Sequence, residues 1–313
     1  MKPTPKVYVV VLNFKGWRDT LECLDSVYQL NHENFEVICV DNGSGDESVD
    51  RILAWAHARS FSLNVTAADG RITGHIDGNA AHAPFTLMVS GENLGYAGGN
   101  NLALRYGLGR GDCDYAWILN NDVVVDADSL SGMIAAAEAN HWGICGARIV
   151  HHDDPTRVQA MAGCFLPYKG RNLEICEEAK LPQMTYVIGA AMLVSRACLK
   201  KTLLPEEHFL YFEEADFCLT ARKAGIAIGV AAGVSIRHKD GKSSTQSLKE
   251  YYYARNLLHF VRKHMMAYLP FALWYVVIQR PVMKIVGGRS DALPFLFRGV
   301  RDFCLGRTGR MPG

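Results

Sequence analysis

Asp114-Tyr-Ala-Trp-Ile-Leu-Asn-Asn-Asp-Val-Val-Val125 decides the fold class. Its apolar centre has strand length and no alternation, as in a strand buried on both faces of a parallel sheet. The run stops at Asn120-Asn121-Asp122, and in open α/β sheets ligands bind at the carboxyl ends of the strands. Taken alone, an acid in this position also serves as a turn or helix-capping residue. What stands beside it elsewhere in the chain decides between the two.

Working outward, Lys6-Val-Tyr-Val-Val-Val-Leu12 and Phe35 to Val40 are two further apolar runs of strand length. Between them Leu21, Leu24, Val27, Tyr28 and Leu30 recur at helical spacing, and a helix is expected at about 46–58. Further strands are expected at Phe85-Thr-Leu-Met-Val-Ser90, 143–150 and 185–194, with helices near 99–108, 128–140 and 213–224. This alternation implies right-handed crossovers and an α/β fold with a doubly wound, mostly parallel, Rossmann-like sheet. The stretch 60–84, rich in Gly, Ala, His and Asp, reads as an insertion that forms a small hairpin. The expected division is a body over 1–248, with a nucleotide half to about 125 and an acceptor half from about 126, then a basic, aromatic helical tail over 249–313.

Every apolar run ends on polar groups: Leu12-Asn13, Asp41-Asn42, Asn93 with its glycines, and Asn120-Asn121-Asp122. Aligned in one sheet, they would form a nucleotide-binding crevice. The glycines of Asn93-Leu-Gly-Tyr-Ala-Gly-Gly-Asn-Asn101 either allow backbone to approach a ribose or phosphate closely or simply make the turn ahead of a helix. A P-loop and a Gly-rich dinucleotide fingerprint are both missing, which argues against a P-loop NTPase and a dinucleotide oxidoreductase. In the second half, Phe209-Leu-Tyr-Phe-Glu-Glu-Ala-Asp216 gathers Glu213, Glu214 and Asp216 at a helix start. The helix dipole alone favours acids there, while the apolar flank would desolvate them and raise a carboxylate pKa.

In order and spacing, Val11-Leu-Asn13, Val40-Asp-Asn-Gly-Ser44, Asn93 to Asn101 and Leu119-Asn-Asn-Asp122 resemble the nucleotide half of family-2 glycosyltransferases of the GT-A fold, most of all bacterial rhamnosyltransferase-type enzymes. The resemblance covers roughly residues 6–265. It implies that Leu12, Asn13, Asp41, Asn93, Gly95, Asn100 and Asn121 contact a UDP- or dTDP-sugar, Asp41 accepting the imide N–H of the base. It also implies that Asp122, the acid kept from a D-x-D signature whose first position is Asn120, joins His238 in holding Mg²⁺ or Mn²⁺. Lys242 and Ser243-Ser244 would close over the diphosphate, and small residues in Gly189-Ala-Ala-Met-Leu-Val194 would either leave room for a sugar or form a plain core strand. The acid run resembles the family's Glu-Asp-x-Asp motif with Glu214 at the second acid, which makes Glu214 the expected general base of an inverting transfer. Glu213 and Asp216 would bind the acceptor, a saccharide or lipid-linked saccharide, in bacterial surface polysaccharide assembly. The alternatives are a nucleotidyltransferase and a non-catalytic nucleotide-sugar binding protein.

Composition frames these expectations. A chain of 313 residues with 49% hydrophobic and 21% charged residues is an ordinary globular protein. Its net charge of +1 conceals a split, 22 Lys+Arg against 29 Asp+Glu over 1–248 and 11 against 3 over 249–313. An acidic body suits a metal site, and a basic tail suits an anionic surface or a packed helical pair. No nucleic-acid partner is expected. Nine cysteines without a C-x-x-C pair fit a reducing cytoplasm, with the tail at the inner face of the cell membrane. No signal-peptide pattern opens the sequence, and the apolar run Tyr268 to Ile278 is too short to cross a bilayer.

Overall fold

A computed structural model describes residues 3–59, 61–68, 71–77, 83–239 and 246–312. The first half runs Val7–Asn13 (β1), Trp17–Val27 (α1), Phe35–Asp41 (β2), Ser48–Ala58 (α2), Ser62–Ala68 (β3), Arg71–Asp77 (β4), Phe85–Val89 (β5), Gly95–Arg110 (α3), Tyr115–Asn120 (β6) and Val123–Val124 (β7). It continues through Ser129–Ala139 (α4), Ile144–His151 (β8), Val158–Ala160 (β9), Ala162–Leu166 (β10), Arg171–Ile175 (β11), Tyr186–Val187 (β12), Ala191–Ser195 (β13), Arg196–Leu199 (α5), Glu213–Lys223 (α6) and Ile228–His238 (β14). Gln246–His264 (α7), Leu269–Trp274 (α8), Arg280–Val286 (α9) and Leu293–Cys304 (α10) complete it.

Among the described residues the large sheet has the order β3-β4-β5-β2-β1-β6-β13-β8-β14-β7, with β9 beside β8. Strand β1 runs parallel to both β2 and β6, in a register that sets Asn13 opposite Asp41 and Leu12 opposite Asn120. The polar strand ends therefore line one edge, as the sequence implies. Along β1 the side chains alternate between two cores: Val7, Val9 and Val11 pack with Leu24 and Ile52, Tyr8 and Val10 with Ala103 and Leu104. Burial on both faces explains the unbroken apolar run.

Strand β13 is antiparallel to β6, pairing Ala191 with Leu119, so Gly189 and Ala190 return to the polar edge. The amide of Asn120 donates to Ala190 O at 3.0 Å there. The single strand expected over 185–194 is thus two pieces, and the first, β12, belongs to a separate three-stranded sheet β11-β10-β12. The insertion is a hairpin, β3 against β4, that extends the large sheet antiparallel from β5.

The boundary expected at 248 falls inside α7, whose Tyr251, Leu257, Phe260 and Val261 are fully buried. Leu257, Phe260 and Val261 share one core with Val10 and Phe217, so this helix is a wall of the body. The helical run Met266–Val286 spans 21 residues with hydropathy 1.3, long and apolar enough to cross a membrane by length and composition. That corrects the shorter reading of Tyr268 to Ile278. The helix continues because a π-helical stretch, Tyr275–Gln279, precedes Pro281, where a regular turn would clash with the proline ring.

Candidate functional site

At the edge of β1 and β2, Asn13 and Asp41 form a buried polar hub. The amide of Asn13 donates to Asp41 Oδ2 at 2.6 Å, and its carbonyl accepts from Thr20 Oγ1 at 2.8 Å. Ser44 adds its hydroxyl to Asp41 Oδ2 at 2.6 Å and its amide to Oδ1 at 3.0 Å. A carboxylate offers about four acceptor positions, so one remains beyond these three donors. Asn42, given no role of its own from sequence, ties the glycine-rich loop to this edge: it donates to Gly95 O at 3.0 Å and accepts from Leu94 N at 3.0 Å.

Asn93 Oδ1 accepts from Gly95 N at 2.8 Å, which turns the chain into α3. Gly95 has φ 75°, and a Cβ there would sit 2.3 Å from Phe209 O, so only glycine fits. Leu12 packs beneath the same helix, where a Cβ at Gly99 would approach its Cδ1 to 2.5 Å. Asn100 is fully buried, its amide bonded to Tyr96 O at 2.9 Å and its Oδ1 without a partner among the described residues. Asn121 donates to Gly16 O at 3.1 Å and Thr20 Oγ1 at 3.0 Å, bracing the start of α1.

Asp122 and His238 meet because β14 pairs antiparallel with β7, placing His238 opposite Val123. His238 Nε2 lies 3.3 Å from Asp122 Oδ1, a buried oxygen that accepts no hydrogen bond among the described residues. Gln159 determines the tautomer. Its amide nitrogen donates to His238 O at 3.0 Å, so its carbonyl accepts from His238 Nδ1 at 2.8 Å, and in the neutral ring the lone pair is then on Nε2, which faces the carboxylate. An orphaned carboxylate oxygen facing an imidazole nitrogen, with an orienting partner behind the ring, could hold a divalent cation. Loss of that partner in Gln159→Ala is expected to weaken Mn²⁺ affinity by about 10–100-fold without unfolding the chain, as titration of the variant would show. Beside His238 a cavity of about 590 Å³ is also lined by Arg157 and Lys239. The lid expected at Lys242 and Ser243-Ser244 lies outside the described residues.

Glu207, His208 and Asp216 also cluster within 4.8 Å, but this group is already neutralised. Asp216 accepts from His208 Nε2 at 2.8 Å, His264 Nε2 at 2.8 Å and Lys263 Nζ at 2.9 Å, and Glu207 shares the lysine at 3.0 Å. Burial alone would raise the Asp216 carboxyl, yet these donors outweigh it and hold the group well below the usual carboxylate range. Asp216 is fully buried, so its visible work is to fasten α6 to α7.

Glu213 and Glu214 are both desolvated, to different degrees. Glu213 is buried with Oε2 unpartnered among the described residues, and burial followed by the neighbouring Glu214 charge pushes its carboxyl well up. Glu214 is half-buried, and burial raises its carboxyl as well. It stands beside Gly189, where an added Cβ would lie 3.7 Å from Glu214 Cβ and 3.1 Å from Tyr96 Oη. Tyr96 donates its hydroxyl to Gly189 O at 2.7 Å and its amide to Phe209 O at 2.9 Å, which links the glycine-rich loop to the acid helix.

The segment delivering these acids is strained: Phe209, Tyr211 and Phe212 have φ of 64°, 68° and 76°. Each such non-glycine residue costs about 1–3 kcal/mol and persists only where its surroundings dictate it. Asn256 on α7 supplies that constraint, its amide donating to His208 O, Leu210 O and Tyr211 O at 2.8, 2.7 and 3.0 Å. Arg255 adds a bond to His208 O at 2.9 Å. A carboxylate of raised pKa is thus held at the strand edge that also carries the cation donor set.

Residues 8–203, more than half of the chain, match the profile of glycosyl transferase family 2. The chain belongs to that family. The low-salt glycan biosynthesis hexosyltransferase Agl10 of Haloferax volcanii is 26% identical over 255 residues, covering 78% of this chain and 70% of that protein. Among solved structures, the mannosyltransferase PcManGT from Pyrobaculum calidifontis, in complex with GDP-Man and Mn²⁺, superposes with a TM-score of 0.60 at 14% identity, over 97% of this chain and 88% of that one. S. aureus TarS 1-349 in complex with UDP-GlcNAc gives 0.60 at 14% identity, over 95% and 80%. At such identity the likeness is one of fold, and the GT-A α/β architecture stands. Membership of family 2 makes the chain a glycosyltransferase and sets aside the nucleotidyltransferase alternative.

Proposed function

We propose that this glycosyltransferase is a metal-dependent, inverting enzyme that moves a hexose or deoxyhexose, rhamnose included, from a UDP- or dTDP-sugar to a saccharide or lipid-linked saccharide hydroxyl. The setting we assign is surface polysaccharide assembly at the cytoplasmic face of the membrane. One observation carries this reading: the unpartnered Asp122 oxygen facing His238 Nε2, on the sheet edge where Glu214 stands beside Gly189.

Asp122 and His238 would hold Mg²⁺ or Mn²⁺, which when bound neutralises charge on the donor diphosphate. Asp41, through its remaining acceptor position, would take the imide N–H of the base, with Asn13 and Ser44 fixing its orientation. Leu12, Asn93, Gly95 and Asn100 shape the wall of the nucleotide pocket, and Asn121 supports it from behind. Glu214 takes the proton of the acceptor hydroxyl as its oxygen attacks the anomeric carbon. The carbon–oxygen bond to the diphosphate breaks on the opposite face, the nucleoside diphosphate leaves, and configuration inverts. Glu213 is buried next to Glu214 on α6, and Asp216 positions both by anchoring their helix.

The test is release of nucleoside diphosphate from a panel of sugar nucleotides, with Mn²⁺ and with chelator. Metal-dependent turnover of a UDP- or dTDP-sugar is expected, and turnover unaffected by chelator would overturn the metal assignment. Asp41→Asn is expected to weaken UDP or dTDP binding by the worth of a charge-assisted hydrogen bond, about 1.5–3 kcal/mol by calorimetry. Unchanged affinity in that variant, or tighter binding of GDP by the wild type, would move base recognition elsewhere.

A further inference from the structure

The helical run Met266–Val286 departs from the usual partition of a surface helix, being apolar on its outer face as well as its inner one. Its charges turn inward: Arg280 Nε and Lys284 Nζ reach Glu250, 1% exposed, at 2.7 and 2.5 Å. Large apolar side chains turn outward, with Phe271, Trp274, Ile278, Val282 and Ile285 exposed on one face at helical spacing. Trp274 is 63% exposed and Val286 83%. The patch extends past the helix, since Tyr168 packs edge-on against Tyr268 and Phe271 at 5.1 and 5.7 Å. A contiguous apolar surface of this kind marks an interaction site.

The charge of the C-terminal helices points to the occupant. Among the described residues from α7 onward, Glu250 and Asp302 are buried, which leaves Asp291 as the exposed acid. Arg289, Arg301, Arg307 and Arg310 are exposed. A second copy of the chain would bring a second set of arginines to the same interface, whereas anionic headgroups complement them. Although the helix is long enough to span a membrane, its inner face is committed to the core through Ala272, Tyr275 and Val276. Spanning would strip that face and expose the Glu250 ion cluster to hydrocarbon.

We propose that this face seats the enzyme on an anionic lipid bilayer, with the helix lying in the membrane plane. The face is joined to the acceptor side. The β10–β11 turn rests on α8, where a Cβ at Gly170 would meet Phe271 O at 2.6 Å, and β10 pairs with β12, which leads to Gly189 beside Glu214. Only this last step, delivery of an acceptor from the membrane plane to Glu214, rests on the function proposed above.

The test is sedimentation of the full chain with phosphatidylcholine vesicles, with and without phosphatidylglycerol. Binding to the anionic vesicles is expected, weakened by salt and lowered more than about tenfold in the double variant Trp274→Glu, Ile278→Glu. Glu214→Gln is expected to bind vesicles as wild type does, which separates this result from the catalytic reading. Should the double variant fail to fold, quenching of Trp274 in the wild type by lipids brominated on the acyl chains, absent in Trp274→Phe, supports the same conclusion. Absence of wild-type binding, a folded double variant that still binds, or unquenched Trp274 would overturn the proposal. A dimer that dissociates in the double variant, with no vesicle binding, would assign the face to a second copy.

Discussion

Replacing Glu214 with Gln is expected to lower glycosyl transfer by about 10²–10⁴-fold while donor affinity stays near the wild-type value. The substitution keeps the shape beside Gly189 but cannot accept a proton. Because burial raises the Glu214 carboxyl, the base is idle when protonated and the wild-type rate should fall as pH drops through that raised value. This acid limb should vanish from the residual activity of the variant. Glu213→Gln tests the assignment, since Glu213 is buried and Glu214 only partly so. A collapse in Glu213→Gln, with Glu214→Gln still active, would transfer the role.

Removal of either proposed cation ligand is the second large effect. Asp122→Ala and His238→Ala should each cost several kcal/mol of transition-state stabilisation, about two to three orders of magnitude in turnover. Neither change should unfold the protein, because Asp122 Oδ1 holds no structural hydrogen bond among the described residues and His238 lies at the end of β14. Excess Mn²⁺ should partly rescue the alanine variants, since one ligand of the pair remains. Wild-type metal-dependent turnover in either variant would remove that residue from the site.

The nucleotide half was legible because its strands are buried on both faces, so composition alone marks β1, β2 and β6 and their polar ends. The pairing of Asp122 with His238 followed only from resemblance, since it depends on the register of a two-residue strand, β7, against β14. Gln159 could not be found in sequence, because it lies on the short β9 and acts through a contact 79 residues away. The strands from β9 to β11 went unassigned for a related reason: Ala-Gly-Cys-Phe-Leu and Arg-Asn-Leu-Glu-Ile are short and carry no clear period. Asp216 shows the limit of motif reading. Its neighbours in sequence are other acids, while the groups that consume its lone pairs, His208, His264 and Lys263, come from two other segments. Left-handed backbone at Phe209, Tyr211 and Phe212 is likewise imposed from outside, by the carbonyl contacts of Asn256. The outward face of Met266–Val286 was read as an eleven-residue apolar run because Gln279 and Arg280 interrupt it, and only packing shows the arginine turned inward.

The anomeric configuration of the first-formed product tests the central claim most directly. Proton NMR of sugar released or transferred from an α-linked UDP- or dTDP-sugar, recorded before mutarotation and in the presence of Mn²⁺, should show the β anomer, with the signal lost in Glu214→Gln. An α product, or a sugar covalently attached to the protein by mass spectrometry, would contradict single displacement with Glu214 as the base.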